Sequence, residues 1–318
     1  MTQSGIICLG EALIDFIPTD LTNSRYYKSP GGAPANVAVG LARLGIKASF
    51  IGKVGDDSLG RFLNETIENY GVDTKQLTFT KKAKTGITFV TNDRLGERSF
   101  EFFIDPSADR YLEWSDIHQS HFTSHRIFHF GSISMITNPA KETTKLTVKL
   151  AKKNNMLISY DPNLRLRLWD SPTIAHKTIT SMFNDVDILK LSEEELEFVT
   201  GETSIIKGIK KLRTYEIPLV VITLGQKGCY ISIKNEFKHI PAIQIKAVDT
   251  TGAGDGFVAG LLYSIHNTNK RLNEIEFQDI IKMMQFAVIT GGLTTSKKGA
   301  MTSLPTLNDI KNHLVRDK

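Results

Sequence analysis

A glycine-rich stretch, DTTGAGDGF at residues 249–257, runs directly into the apolar segment FVAGLLYSI. The first amides of a helix lack internal partners and its dipole makes that end positive, so small residues there let an anion approach the backbone. Gly252, Ala253 and Gly254 therefore predict a cradle for a phosphate or an oxyanion. Asp255 would repel such an anion, but its carboxylate can take the proton of a hydroxyl that attacks the phosphate. On spacing alone, a purely helix-capping role for Asp255 stays open.

Short apolar runs and longer amphipathic segments alternate around this stretch and must position it. The runs GIICLG, KASFIG, HRIFHFGS, NMLISYD, VDILKLS and IPLVVITLG are typical of buried strands. Helical patterns between them include PANVAVGLARLG, NPAKETTKLTVKLAKKN and SEEELEFVTG, the last with Ser192 as N-cap and Gly201 as its stop. The alternation predicts an α/β fold with a doubly wound, mainly parallel sheet flanked by helices.

Residues 85–103, TGITFVTNDRLGERSFEFF, interrupt this alternation with two β-rich stretches around a turn signal. They predict an antiparallel hairpin, either in a small accessory sheet or at the edge of the main sheet. We expect one domain over residues 1–318, with lid elements at approximately 12–30 and 85–105. Accessory elements of this kind often cover an active site.

Composition excludes several classes of function. The 318 residues carry a net charge of +5 from scattered basic residues, which favours a solvated surface that tolerates anionic ligands over nucleic-acid binding. Cys8 and Cys229 lie in apolar runs, so we expect small core residues rather than a disulfide or a zinc site. The N-terminal residues do not resemble a signal peptide, and no apolar run is long enough to span a membrane. The sequence predicts a cytoplasmic protein.

Two separated motifs resemble signatures of one family. DTTGAGDGF is similar to the C-terminal signature of the ribokinase-like, or PfkB, carbohydrate kinases, and GGAPANVAVGLARLG at residues 31–45 resembles their N-terminal signature. The motifs occur in the order that the family requires, and the resemblance extends from GEALIDF to KKGAMTSLP. It implies a ribokinase-like fold with a small β lid, and phosphoryl transfer from ATP to a sugar. Within the family, GERSFEFF, PSADRYL and FHFGSISM look most like bacterial fructokinases.

The resemblance assigns roles to individual residues of this chain. The family's general base falls on Asp255, and the amides of Gly252, Ala253 and Gly254 would stabilise the transferring phosphoryl group. The positions that the resemblance places at the sugar are Asp15, Gly31, Gly32, Asn36, Arg98, Phe102, Arg165 and Asp255. For Asn36, a bond to its own backbone is the alternative.

The family's nucleotide and cation sites also map onto this sequence. The positions that it places at ATP are Asn163, Lys190, Thr223, Gly225, Gly228 and Gly254. Glu195 matches a glutamate that organises Mg²⁺ through water, while Ser192 replaces the family's usual asparagine. A monovalent cation such as K⁺ would lie near Asp249, Thr251, Gly299 and Ser303.

The expected reaction converts ATP and D-fructose to ADP and fructose 6-phosphate, and the expected assembly is a homodimer. Kinases for 2-keto-3-deoxygluconate and for aminoimidazole riboside share the scaffold, and a few hydroxyl contacts decide between such substrates. A non-catalytic sugar or nucleotide sensor is a further alternative. The presence of Asp255 argues against a sensor, because a sensor needs no general base.

Overall fold

The computed structural model describes residues 3–92, 98–234, 236–268 and 270–316. The strands are β1 (Ile6–Leu9), β2 (Leu13–Pro18), β3 (Tyr26–Gly31), β4 (Ala48–Gly55), β5 (Asp73–Thr80), β6 (Gly86–Asn92), β7 (Arg98–Phe102), β8 (Ile127–Phe130), β9 (Leu157–Tyr160), β10 (Ile188–Ser192), β11 (Leu219–Thr223), β12 (Cys229–Ile233) and β13 (Glu236–Ile240). The helices are α1 (Ala33–Arg43), α2 (Ser58–Asn69), α3 (Ala140–Lys153), α4 (Pro172–Thr180), α5 (Glu193–Thr200), α6 (Ile205–Leu212), α7 (Ala253–His266), α8 (Phe277–Thr294) and α9 (Leu307–Arg316).

The main sheet has nine strands in the order β13-β12-β11-β10-β9-β8-β1-β4-β5. Its strands pair in parallel from β11 to β5, whereas β12 and β13 continue it as antiparallel edge strands. One apolar cluster packs α1, α7 and α8 on one face, and a second packs α3, α4 and α6 on the other. This arrangement confirms the predicted mainly parallel sheet with helices on both faces.

Strand β1 shows why such strands read as unbroken apolar runs. Ile6 and Cys8 belong to the first cluster, whereas Ile7 and Leu9 belong to the second. Because side chains alternate between the faces and both faces are covered, every position must be apolar. Each such aliphatic side chain contributes about 1.5–3 kcal/mol on burial. Cys229 is likewise buried and free, as the sequence predicts.

A second sheet of four strands has the order β3-β2-β6-β7. The predicted hairpin is confirmed, since β6 and β7 pair antiparallel, and it lies in this separate sheet rather than at the edge of the main one. Phe16 of β2 and Phe89 of β6 stack with ring centroids 5.0 Å apart. The turn signal falls on residues 93–97, outside the described residues. The function of this small sheet as a lid stays a prediction.

The helix boundaries follow local signals in the sequence. Ser192 caps α5 by accepting a hydrogen bond from the amide of Glu195, and the helix stops at Gly201 with φ 71°. Both boundaries agree with the predicted signals. Helix α7 begins after Gly252, whose φ of 77° favours glycine. Among the described helices, none is both long and apolar enough to cross a bilayer.

Candidate active site

A cavity of about 330 Å³ opens where the small sheet faces the carboxyl ends of β9 and β10 and the start of α7. The predicted site residues that line it are Asp15, Gly32, Asn36, Phe102, Asn163, Arg165, Lys190, Thr251, Gly252, Gly254 and Asp255. Strand carboxyl ends are where doubly wound sheets place ligands. The predicted site residues outside its lining are Gly31, Ala253, Glu195, Thr223, Gly225, Gly228, Asp249, Gly299 and Ser303. The side chain of Arg98 lies outside what the structure describes.

Asp255 lies in the first turn of α7, half-buried at the cavity wall. Its Oδ2 accepts a hydrogen bond of 2.8 Å from Nδ2 of Asn36 in the first turns of α1. The residue that caps α7 is Gly252, which makes no side-chain cap bond. The side chains of Asp255 and Asn36 thus bond each other at the cavity wall. This contact differs from the capping alternative for Asp255 and from the self-bonding alternative for Asn36.

The protonation of Asp255 is set by its surroundings. Burial raises the pKa of its carboxyl group to about 6, although the hydrogen bond from Asn36 opposes the rise. The charge of Asp161 raises the pKa further, while Lys190 and Arg165 lower it. A carboxylate whose pKa lies near 6 is ionised at neutral pH and still basic enough to accept a proton.

Lys190 lies beside the small residues at the start of α7. A methyl group placed on Gly254 would lie 3.5 Å from Lys190 Nζ, so the ammonium faces this helix terminus. Lys190 Nζ also contacts Asp161 Oδ2 at 2.9 Å, and both side chains are buried. Burial alone would lower the pKa of Lys190, but the charges of Asp161 and Glu195 outweigh it and hold the pKa above its usual value. The site therefore places a cation beside the start of α7, where the amide of Ala253 also donates to the carbonyl oxygen of Thr250 at 3.2 Å.

Glu195 organises the loop that carries Asn163 and Arg165. Its Oε1 accepts a hydrogen bond of 2.7 Å from the amide of Leu164, and its Oε2 accepts one of 2.8 Å from the amide of Ser192. The second bond completes a capping box with Ser192, the residue that departs from the family pattern. Each oxygen keeps a further lone pair for a water molecule.

The sugar-side residues Asp15, Gly31 and Gly32 meet where β2 pairs with β3. A Cβ on Gly31 would overlap Asp15 Oδ2, and a Cβ on Gly32, whose φ is 105°, would overlap the carbonyl oxygen of Glu11. Close approach to the backbone therefore requires glycine at position 32, whereas a side chain at position 31 would displace the Asp15 carboxylate. Burial raises the pKa of Asp15 to about 7, and the charge of Arg165 opposes this rise.

The residues predicted to hold a monovalent cation lie on two segments, one before α7 and one after α8, that meet near the start of α7. Asp249 Oδ1 accepts hydrogen bonds from the amide and the hydroxyl of Thr251, at 3.0 and 2.7 Å. Asp249 Oδ2 accepts one of 3.1 Å from the amide of Gly299. Ser303 donates instead to the carbonyl oxygen of Ala300 at 2.9 Å. The fold thus brings Asp249, Thr251 and Gly299 together.

The predicted nucleotide segment forms the turn between β11 and β12. Gly225 and Gly228 have φ angles of 55° and 95°. A Cβ on Gly228 would overlap the carbonyl oxygen of Ile240, so packing of the turn requires this glycine. Thr223 donates to the carbonyl oxygen of Leu191 at 3.3 Å. These contacts position the turn, and nucleotide binding there stays a prediction.

Sequence reasoning did not find Glu11, which lines the cavity and is only 3% exposed. Its Oε1 accepts a hydrogen bond of 3.0 Å from the amide of Ala33 at the start of α1. Burial raises the pKa of Glu11 to about 8. The signal was present, because an acid four residues before Asp15 directly follows a buried strand.

Comparison with known proteins gives a consistent result. A sequence profile described as pfkB family carbohydrate kinase matches residues 3–307. A probable fructokinase-2 of Arabidopsis thaliana is 41% identical over 307 residues, which cover 95% of this chain and 93% of the relative.

Two solved structures are also similar. A double-mutant fructokinase of Vibrio cholerae O395, bound to fructose, ADP and a potassium ion, superposes with a TM-score of 0.90 at 37% identity and covers 98% of both chains. An aminoimidazole riboside kinase of Salmonella enterica, complexed with that riboside and an ATP analogue, gives a TM-score of 0.85 at 29% identity, with 98% of this chain and 99% of the other covered.

Proposed function

This chain belongs to the pfkB family of carbohydrate kinases, and on that premise we propose that it is an ATP-dependent fructokinase. The similar structures confirm the predicted ribokinase-like fold. Relatives that are about 40% identical over nearly the whole chain are described as fructokinases. The observation that carries the proposal is the carboxylate of Asp255, which lies beside Lys190 at the start of α7 in a cavity of sugar size.

Asp255 acts as the general base in this proposal. The 6-hydroxyl oxygen of D-fructose attacks the γ-phosphorus of ATP and gives its proton to the Asp255 carboxylate. The bond between the γ-phosphorus and the β–γ bridging oxygen breaks, and ADP leaves with that oxygen. The amides of Gly252, Ala253 and Gly254 stabilise the charge on the transferring group. The products are fructose 6-phosphate and ADP.

The sugar hydroxyls are bound by groups on the small sheet and at the start of α1. Asp15 and Asn36 supply buried polar groups, and the glycine pair at 31 and 32 lets the sugar approach the backbone. Phe102 of β7 covers the cavity from the small sheet, and we assign Arg98 to the same side. Arg165, at the edge of the cavity, suits a phosphate because its guanidinium presents a planar fork of donors.

The nucleotide and its ions occupy the opposite side of Asp255. We assign ATP contacts to Asn163, Lys190, Thr223, Gly225, Gly228 and Gly254. Bound Mg²⁺ would screen the charge of the phosphates. Glu195 would hold it through water, with the lone pairs that do not accept from the amides of Leu164 and Ser192. We assign K⁺ to the two segments that carry Asp249, Thr251, Gly299 and Ser303, since a potassium ion is bound in a similar fructokinase.

A coupled assay for ADP release tests the substrate. The purified protein is given MgATP with D-fructose, 2-keto-3-deoxygluconate, aminoimidazole riboside or no acceptor. We expect D-fructose to give the highest kcat/KM, because relatives that match nearly the whole chain are described as fructokinases. A higher value for either other acceptor overturns the choice of fructose. If ligands bind but no acceptor stimulates the release of ADP, the result supports the sensor instead.

The pH dependence of kcat/KM reports the base directly. Because the pKa of Asp255 is raised to about 6, its base form is lost as the pH falls, and we expect kcat/KM to fall below about pH 6. The amide of Asn36 stabilises the ionised carboxylate. We therefore expect Asn36→Ala to move this acidic limb to higher pH. The profiles of the variant and the parent are measured from pH 4.5 to 9. An acidic limb at the same pH in both contradicts the effect of the Asn36 hydrogen bond on the pKa of Asp255.

The exposed side chains of the small sheet support a homodimer that pairs through it. Tyr27 and Phe103 are 48% and 64% exposed on or next to strands β3 and β7. Light scattering tests the assembly, and a monomer at micromolar concentration contradicts it.

We place the protein in the cytoplasm.

A further inference from the structure

A small annex of about 20 Å³ adjoins the main cavity beneath the small sheet. Glu11, Leu13, Phe102 and Ile133 line both spaces. The annex adds Asp109 and Arg110, which follow the small sheet in the chain, to this shared wall. Neither Asp255 nor the start of α7 lines it, so the annex opens away from the reacting end of the cavity.

Two buried polar atoms in the annex wall lack partners. Glu11 and Arg110 are 3% and 4% exposed. Glu11 Oε2 and Arg110 Nε have no hydrogen-bond partner within the described part of the chain, although Arg110 Nε lies 3.6 Å from Asp109 Oδ2. Because leaving such groups unpaired in a protein interior is costly, the two atoms favour a polar ligand group at the annex.

We propose that the annex is a specificity pocket for one hydroxyl of the acceptor, namely the 1-hydroxyl of D-fructose. This inference rests on the proposed function. A hydroxyl oxygen accepts the hydrogen bond of Arg110 Nε, and its hydrogen atom remains free for Glu11 Oε2. The volume fits one oxygen-sized group and excludes a ring, because a water-sized group needs about 10–15 Å³.

The choice of the 1-hydroxyl follows from the position of Asp255. In the furanose ring of fructose, the 1- and 6-hydroxymethyl groups project from the two carbons that flank the ring oxygen. With the 6-hydroxyl held at Asp255, the 1-hydroxymethyl group points to the far wall, where Glu11 forms the boundary between the two spaces. A hydroxymethyl arm is also narrow enough to enter the annex.

The charges around the annex favour a neutral group. The wall of the annex holds two carboxyl groups, of Glu11 and Asp109, and one guanidinium group, of Arg110. The charge of Asp109 is among the causes, after burial, that raise the pKa of Glu11. An anionic group of the substrate would be repelled by the charge of Asp109. A hydroxyl can accept a hydrogen bond from protonated Glu11 or donate one to its ionised form. The annex therefore suits a ketose better than a sugar acid.

Kinetics with D-fructose and 1-deoxy-D-fructose test the proposal. Removal of a hydroxyl that bonds two buried polar groups leaves both unpaired, so we expect kcat/KM of the parent enzyme to fall by about 10- to 100-fold with the 1-deoxy sugar. Arg110→Met keeps the length of the side chain and removes the donor. Glu11→Gln keeps an acceptor for the amide of Ala33 and exchanges Oε2 for an amide group. In both variants we expect kcat/KM for D-fructose to fall toward the value for 1-deoxy-D-fructose, so that most of the discrimination between the two sugars is lost.

Glu113→Gln serves as the matched control, because Glu113 is an exposed partner of Lys82 away from the annex, and it should keep the full discrimination. Equal use of the two sugars by the parent enzyme overturns the proposal and means that water alone fills the annex. Undiminished discrimination in both folded variants also overturns it, because the 1-hydroxyl then binds elsewhere. If the variants do not fold, the ratio measured for the parent decides. Absence of fructose turnover in the parent rejects the proposed function itself.

Discussion

Asp255→Asn is expected to lower kcat by about 10²- to 10⁴-fold, which is the usual contribution of a positioned general base. The substitution keeps the size of the side chain, and its amide oxygen can still accept the hydrogen bond from Asn36. The amides at the start of α7 and Lys190 remain in place. Dissociation constants for ATP and fructose, measured by calorimetry, should therefore stay within a few-fold of the parent's.

The matched control for this variant is Asp185→Asn. Asp185 forms an exposed ion pair with Lys152, with both side chains about 40% exposed, and it lies outside the cavity lining. It should keep the kcat of the parent. A kcat for Asp255→Asn within a few-fold of the parent's contradicts the role of Asp255 as base.

Lys190→Met is expected to lower the free energy of unfolding by about 3–5 kcal/mol, because it leaves the buried carboxylate of Asp161 without its partner. It should also abolish most of the activity, since it removes the cation beside the start of α7. The double variant Lys190→Met/Asp161→Asn removes both charges, and the carboxamide that replaces the Asp161 carboxylate keeps an acceptor for the amide of Asn163. We expect it to recover most of the stability and none of the lost turnover.

Urea denaturation of the two variants, with Lys152→Met as control, measures this effect. Lys152 pairs with Asp185 at the surface, where loss of an ion pair costs about 0–1 kcal/mol. A cost for Lys190→Met as small as that for Lys152→Met would show that water screens the Asp161 carboxylate. Recovery of kcat in the double variant would show that the ammonium of Lys190 has no part in the reaction.

The sequence predicts most of the main sheet because its strands are covered on both faces. β1, β8 and β11 read as apolar runs for that reason, and the capped ends of α5 follow from Ser192 and Gly201. The pairing of Lys190 with Asp161 could also have been predicted, because β9 and β10 are sequential strands and neighbours in the sheet. Most site residues of the two signature motifs line one cavity, whereas Gly31, Asp249 and Ala253 lie outside its lining.

Contacts between distant segments could not be read from the sequence. The parallel pairing of β2 with β6 joins segments about 70 residues apart, and no local signal specifies it. The annex depends on the same packing, since Glu11 follows β1 while Arg110 follows the small sheet. A buried arginine in PSADRYL has the pattern of an exposed loop, and only its surroundings in the fold show that its Nε is buried without a partner.

A crystal structure of the enzyme with D-fructose and a non-hydrolysable ATP analogue tests the central claim most directly. We expect the 6-hydroxyl oxygen of the sugar within about 2.6–3.2 Å of an Asp255 carboxylate oxygen, in line with the γ-phosphorus, while the terminal phosphate contacts the amides at the start of α7. A 6-hydroxyl that lies beyond reach of Asp255, even through one water molecule, contradicts the assignment of Asp255 as the base.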